Sequence, residues 1–141
     1  MLHTLRRIFV LVLCLALVCC LSVTAFAATS FNDDEDFDDG NTTVEFAAHI
    51  NRYTTDGFSA VDSSIAPANA RVAMTGRYID SEYNLRDDLS DEDIETNIAF
   101  VNVSFSDDEI FSMVDAAYQF WAEVPTTYDW QEYVDSALVE Y

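Results

Sequence analysis

Met113-Val114-Asp115-Ala116-Ala117-Tyr118-Gln119-Phe120-Trp121-Ala122-Glu123-Val124 admits two secondary structures, and the choice between them decides the fold. Read at 3.6 residues per turn, Ser106 and Glu109 upstream make a capping box, and Ile110, Val114, Ala117, Trp121 and Val124 line one helical stripe. Read at a period of two, Val114, Ala116, Tyr118, Phe120, Ala122 and Val124 form an unbroken apolar series, with Asp115, Gln119, Trp121 and Glu123 on the opposite side. Composition separates the two. Beyond residue 27 there are only three Leu (Leu85, Leu89, Leu138), two Gln and no Lys, whereas Val, Thr, Tyr and Phe are plentiful. The strand reading predicts a mainly β chain, a small antiparallel β-sandwich. The alternative is an α+β fold in which one or two C-terminal helices pack on an antiparallel sheet.

Working outward, residues 97–105 carry Ile98, Ala99, Phe100, Val101, Val103 and Phe105 and make the clearest strand. Residues 71–79 are also rich in strand formers and cross Gly76, the mark of a bulge. Val44, Phe46, Ala48 and Ile50 alternate with Glu45, Ala47, His49 and Asn51, the pattern of a half-buried strand. Asp56-Gly57 reads as a turn. Residues 80–95 read as an acidic loop in which Ser90 and Asp93 cap one short helical turn. Residues 28–41, with Asp33, Asp34, Glu35, Asp36, Asp38 and Asp39, read as a solvated, disordered acidic tail.

At the N-terminus, Arg6 and Arg7 precede an apolar run over residues 8–21 and then Ala25-Phe26-Ala27. That order is the signature of a signal peptide cleaved after Ala27, and the run is short for a membrane span. The leader resembles those of Gram-positive bacteria, which implies an extracellular destination and no activity. All three cysteines, Cys14, Cys19 and Cys20, fall within it, so the exported chain has neither disulfides nor thiol chemistry. Cys19 directly before Cys20 departs from the small residue that a lipid-attachment site needs. The expected organisation is a signal peptide (1–27), an acidic tail (28–41) and one globular domain (42–141) of a size that supports a single core.

Four Arg against 26 Asp and Glu leave the exported part with a charge near −22. Such a polyanion repels nucleic acid and anionic membrane surfaces. The expected partners are cations, cationic peptides or polymers, or surface glycans. Asp34, Asp36, Asp38 and Glu45 fall at offsets 1, 3, 5 and 12 of a calcium loop, but offset 6 is Asp39 where the loop needs Gly. Calcium is the one metal this spacing suggests, and Asp87, Asp88, Asp91, Glu92, Asp93 and Glu95 are a second acidic group without a motif. No cofactor is implied. His49 is the only histidine after the leader, no thiol remains, and no Gly-x-Ser-x-Gly elbow frames a serine. Chemistry by a pair of carboxylates, as in a glycosidase, is the one enzymatic alternative, and the acids are too many to nominate a pair. The strand register assigns Asp115, Gln119, Trp121 and Glu123 to one outward face, where an aromatic ring among polar groups suits a sugar or a cation. The four arginines read as local ion-pair partners. The expected function is that of a secreted, non-enzymatic binding or structural module.

Overall fold

The computed structural model describes residues 29–37 and 41–141. Residues 1–28, with the three cysteines and the expected cleavage site, lie outside the described residues, as do Asp38, Asp39 and Gly40. Within them run eight strands: β1 (Ser30–Phe37), β2 (Thr42–Ile50), β3 (Thr54–Ser63), β4 (Asn69–Asp80), β5 (Leu85–Thr96), β6 (Ile98–Ser104), β7 (Ile110–Pro125) and β8 (Trp130–Glu140). They form two antiparallel sheets, ordered β1-β2-β3-β6 and β5-β4-β7-β8. The mainly β sandwich is therefore the fold, and no described residue is helical.

Each sheet turns one face inward because its strands alternate in polarity. On β2, Thr42, Val44, Phe46, Ala48 and Ile50 are buried and their neighbours face water. On β7, Tyr118, Phe120, Ala122 and Val124 are buried, in the register the alternation predicts. Parallel-stacked rings join the layers. Phe120 lies 5.2 Å from Phe46, 5.6 Å from Phe31 and 5.7 Å from Tyr118, and Tyr133 lies 5.1 Å from Phe46. Burying each large apolar side chain contributes roughly 1.5–3 kcal/mol. The Tyr118 hydroxyl is matched inside the core by Thr55 Oγ1 at 2.8 Å, and burial pushes its pKa upward, so it stays neutral.

The helical reading of the C-terminal part fails locally as well as globally. Ser106 and Glu109 do contact each other, the Glu109 carboxylate accepting from Ser106 N at 2.7 Å and Oγ at 2.8 Å, but Glu109 N donates to the Ser106 carbonyl and not to its hydroxyl. Yet the turn stops at Ile110, where pairing with β4 begins. Val114 is an extra residue in that ladder: Tyr78 faces Met113 and Arg77 faces Asp115. Met113 is consequently buried while Val114 is only half-buried, a break in the predicted alternation. The bulge expected at Gly76 appears on the β5 side, between Gly76 and Tyr78.

Three expectations are corrected. The acidic stretch is not a tail throughout: Ser30–Phe37 is β1, in continuous register with β2, with Phe31 and Phe37 turned onto the core. Two aromatics at the right parity outweigh the repulsion of carboxylates that face water. The acidic loop is β5, an edge strand along the length of β4. Its carboxylates tolerate the strand because almost all are exposed. Asp56-Gly57 is no turn but the middle of β3. The chain reverses earlier, where Asn51 Oδ1 accepts from Tyr53 N and Thr54 N, both at 2.9 Å. Gly57 is required there because a Cβ would stand 2.3 Å from Tyr118 Cε1.

Candidate ligand face

The outer face of β5-β4-β7-β8 carries the aromatic candidate. Cross-strand pairing lines up Ile94, Arg71, Trp121 and Val134 in one row, Glu92, Ala73, Gln119 and Ser136 in the next, and Ser90, Thr75, Ala117 and Leu138 in a third. Small side chains in the middle and bulkier ones around them leave a shallow depression. It has a volume of about 460 Å³, with Trp121, Arg71, Gln119, Val134 and Ser136 in its lining. Gln119 also lines a smaller, neighbouring hollow of about 150 Å³ over Ala73, Thr75 and Ala117, and the larger depression is the trough of this face.

Trp121 lies on this face, half-buried, as the strand register requires. Gln119 is held in the sheet between Ala73 and Ser136, and its side chain is exposed and makes no hydrogen bond among the described residues. The other two candidates are engaged. Glu123 Oε2 accepts from Asn69 Nδ2 at 2.7 Å. Asp115, although outward in register, is covered by Arg77, whose Nε donates to Oδ1 at 3.0 Å and to Oδ2 at 3.1 Å while its Nη2 also reaches Oδ2. The pairing with Asp115 pushes the Arg77 pKa further up. Arg71 is likewise paired with Glu92. Arg86 pairs with Asp88 at 3.5 Å and lies 3.9 Å from Asp80. Arg52 differs from the ion-pair expectation: its Nε donates to the Phe111 carbonyl at 2.9 Å, and its guanidinium stacks 5.1 Å from the rings of Tyr53 and Phe111.

Arg71, Val134 and Ser136 join the face only through strand pairing. They are 50, 13 and 15 positions from Trp121 in the chain, too far for any periodicity to connect them.

The calcium spacing does not form a loop. Asp34 and Asp36 lie on extended β1, Asp34 faces Glu45 across the ladder, and Asp38 lies outside the described residues. A coordinating loop wraps its ligands around one point, whereas here the backbone is straight. Among the described residues no three His, Asp or Glu side chains converge as a metal site would need. The β5 carboxylates are similarly divided between the two faces of their strand, where Glu92 holds Arg71 and Asp93 Oδ2 accepts from Phe100 N at 2.8 Å.

On the other sheet, Ser30, His49 and Asp56 are cross-strand neighbours in that order. The residue types are those of a hydrolytic triad, but the geometry is not: His49 Nδ1 lies 3.6 Å from Asp56 Oδ2, beyond hydrogen-bond range, and Ser30 makes no hydrogen bond to His49. The row is an exposed sheet surface. A further depression of about 510 Å³, between Asp62, Pro67 and Ile98, contains no histidine and a single carboxylate.

No family model matches this chain, nor does any curated protein or solved structure.

Proposed function

We propose that the protein is a non-enzymatic, extracellular binding module whose outer β5-β4-β7-β8 face takes a neutral, hydroxyl-rich ligand of the glycan class. The observation that carries this reading is the half-buried Trp121 ring beside the unpartnered Gln119 amide in an open trough. A ring offers an apolar plane to the C–H face of a pyranose, and an amide both donates and accepts toward hydroxyls. Charge supports an uncharged ligand over a cation at this place. Arg71 and Arg77 stand on this face and are paired with Glu92 and Asp115, so its centre is far less acidic than the chain as a whole.

Affinity electrophoresis in gels containing neutral polysaccharides tests the reading. The expected result is retardation of the wild type by at least one glycan, loss of that retardation in Trp121→Ala and Gln119→Ala, and recovery of the glycan uncleaved after long incubation. Retardation unchanged by both substitutions rules out this face. Shortened glycan products would favour the hydrolase instead.

A further inference from the structure

We infer that the free edge of β8 is a docking edge for an extended, basic segment of another polypeptide, which adds to the β5-β4-β7-β8 sheet as a further strand. This site adjoins the glycan trough, whose lining includes Val134, Asp135 and Ser136, but it engages outward backbone amides and carboxylates rather than Trp121 and Gln119.

Four observations meet at this edge. First, β8 is an 11-residue strand in unbroken register with β7, containing no Pro and no bulge, and the charges that guard its edge, Glu132, Asp135 and Glu140, are all acidic. Tyr141 N donates to Val114 O at 3.0 Å, which by antiparallel alternation turns the amides of Glu132, Val134 and Leu138 outward. Second, the outer side of the strand exposes an apolar row, with Trp130 at 46%, Val134 at 64% and Leu138 at 52% exposure. Third, its inner side faces carboxylates. The Tyr133 hydroxyl donates to Asp33 on β1, and that bond, with burial and the charges of Asp33, Glu35 and Asp135 nearby, pushes the phenol's pKa up. Among the described residues no ion pair involves a carboxylate of β1 or β8. Fourth, Asp135 Oδ1 accepts from Ser136 N at 2.7 Å and so occupies one of the edge amides.

These features specify the occupant. An added strand places alternate side chains on opposite sides, so its outer residues must be apolar, to meet Val134 and Leu138, and its inner residues basic, to meet Asp33, Glu35 and Asp135. A cation that draws the Asp135 carboxylate away also frees the Ser136 amide for the incoming backbone. The edge therefore opens fully only to a basic partner. A second copy of this chain is disfavoured, because two β8 edges would oppose Glu132, Asp135 and Glu140 with no base between them.

The test uses the full chain and fluorescein-labelled nonapeptides that alternate Lys with Val, alternate Glu with Val, or contain Lys with Gly, read by fluorescence anisotropy. Leu138→Pro removes an outward amide without breaking a β7 bond, and Asp135→Lys reverses the recognising charge. The expected result is saturable binding of the Lys/Val peptide alone, weakened about tenfold or more by either substitution and by raising salt to 0.5 M, while both variants keep the wild-type circular dichroism. Equal binding of the Lys/Gly peptide, indifference to both substitutions, or a wild-type dimer that Leu138→Pro dissociates would overturn the inference. Loss of glycan binding in Trp121→Ala with peptide binding intact separates this site from the trough.

Discussion

Trp121 and Phe120 are adjacent in sequence and opposite in environment, which makes them a paired test of the register. Phe120 is buried and stacked on three other rings. Phe120→Ala should therefore cost about 3–5 kcal/mol, as large-to-small changes in a core do. Trp121→Ala removes a half-buried ring from the outer face and should cost about 1–2 kcal/mol, less than the core change. Urea denaturation of the two variants measures the contrast, and equal costs would refute the outward placement. Gly57 is a second residue-scale case. Its added methyl must displace the Tyr118 ring, which is held by Thr55, so Gly57→Ala should destabilise by about 2–3 kcal/mol despite the better intrinsic strand preference of Ala. Of the outward set, Trp121 and Gln119 were legible from alternation alone. That Asp115 is covered and Glu123 engaged was not, since their partners Arg77 and Asn69 lie on a distant strand.

Among the elements, alternation identified β2 and β7, each of which buries one face, and richness in strand-forming residues identified β4 and β6. It missed β1 and β5, where carboxylates occupy most positions and the strand is held by pairing with a neighbour rather than by its own apolar content. The link between β5 and β6 shows how a single residue sets a corner between sheets. Asn97 has a φ of 68°, a left-handed conformation that Asn tolerates better than most residues. Its Oδ1 accepts from Ala68 N at 3.0 Å, its N donates to Ala68 O at 2.7 Å, and its O accepts from Val61 N at 2.7 Å. Asn97→Ala loses the side-chain bond and strains the backbone, for an expected cost of about 2 kcal/mol. Asn97→Gly keeps the conformation accessible and should cost less. A shift in the chemical denaturation midpoint that is the same for both would show that the corner does not depend on this φ.

For the whole molecule the dominant long-range term is self-repulsion, with 26 carboxylates against six arginines in the full sequence. Screening relieves it, so the melting temperature should rise with sodium chloride, and calcium should do no more than magnesium at equal concentration. A large excess stabilisation by calcium would reveal a specific site. The pH dependence combines two opposing effects. Asp80 is held below the ordinary Asp range by the Asn84 backbone amide, with Glu82 N also donating. Glu109 is lowered by the backbone amide and hydroxyl of Ser106, and Asp108 by the Ser106 side chain. A carboxyl whose folded pKa is depressed contributes stability above its unfolded value, near 4, and that contribution is lost as pH falls through the folded value. Acidification from neutrality should thus first stabilise by reducing repulsion and then destabilise below about pH 4. A scan of melting temperature against pH that falls steadily from pH 7 would contradict this balance. Local sequence carried the inward parity of β2, the polyanionic character and, once composition favoured the strand over the helix, the inward parity of β7 and the outward parity of Trp121, because alternation and charge are properties of neighbouring residues. Only the tertiary structure decided that acidic segments are edge strands, that Arg77 covers Asp115, and that Arg71, Gln119 and Ser136 share one trough, because strand pairing joins residues that no local pattern relates.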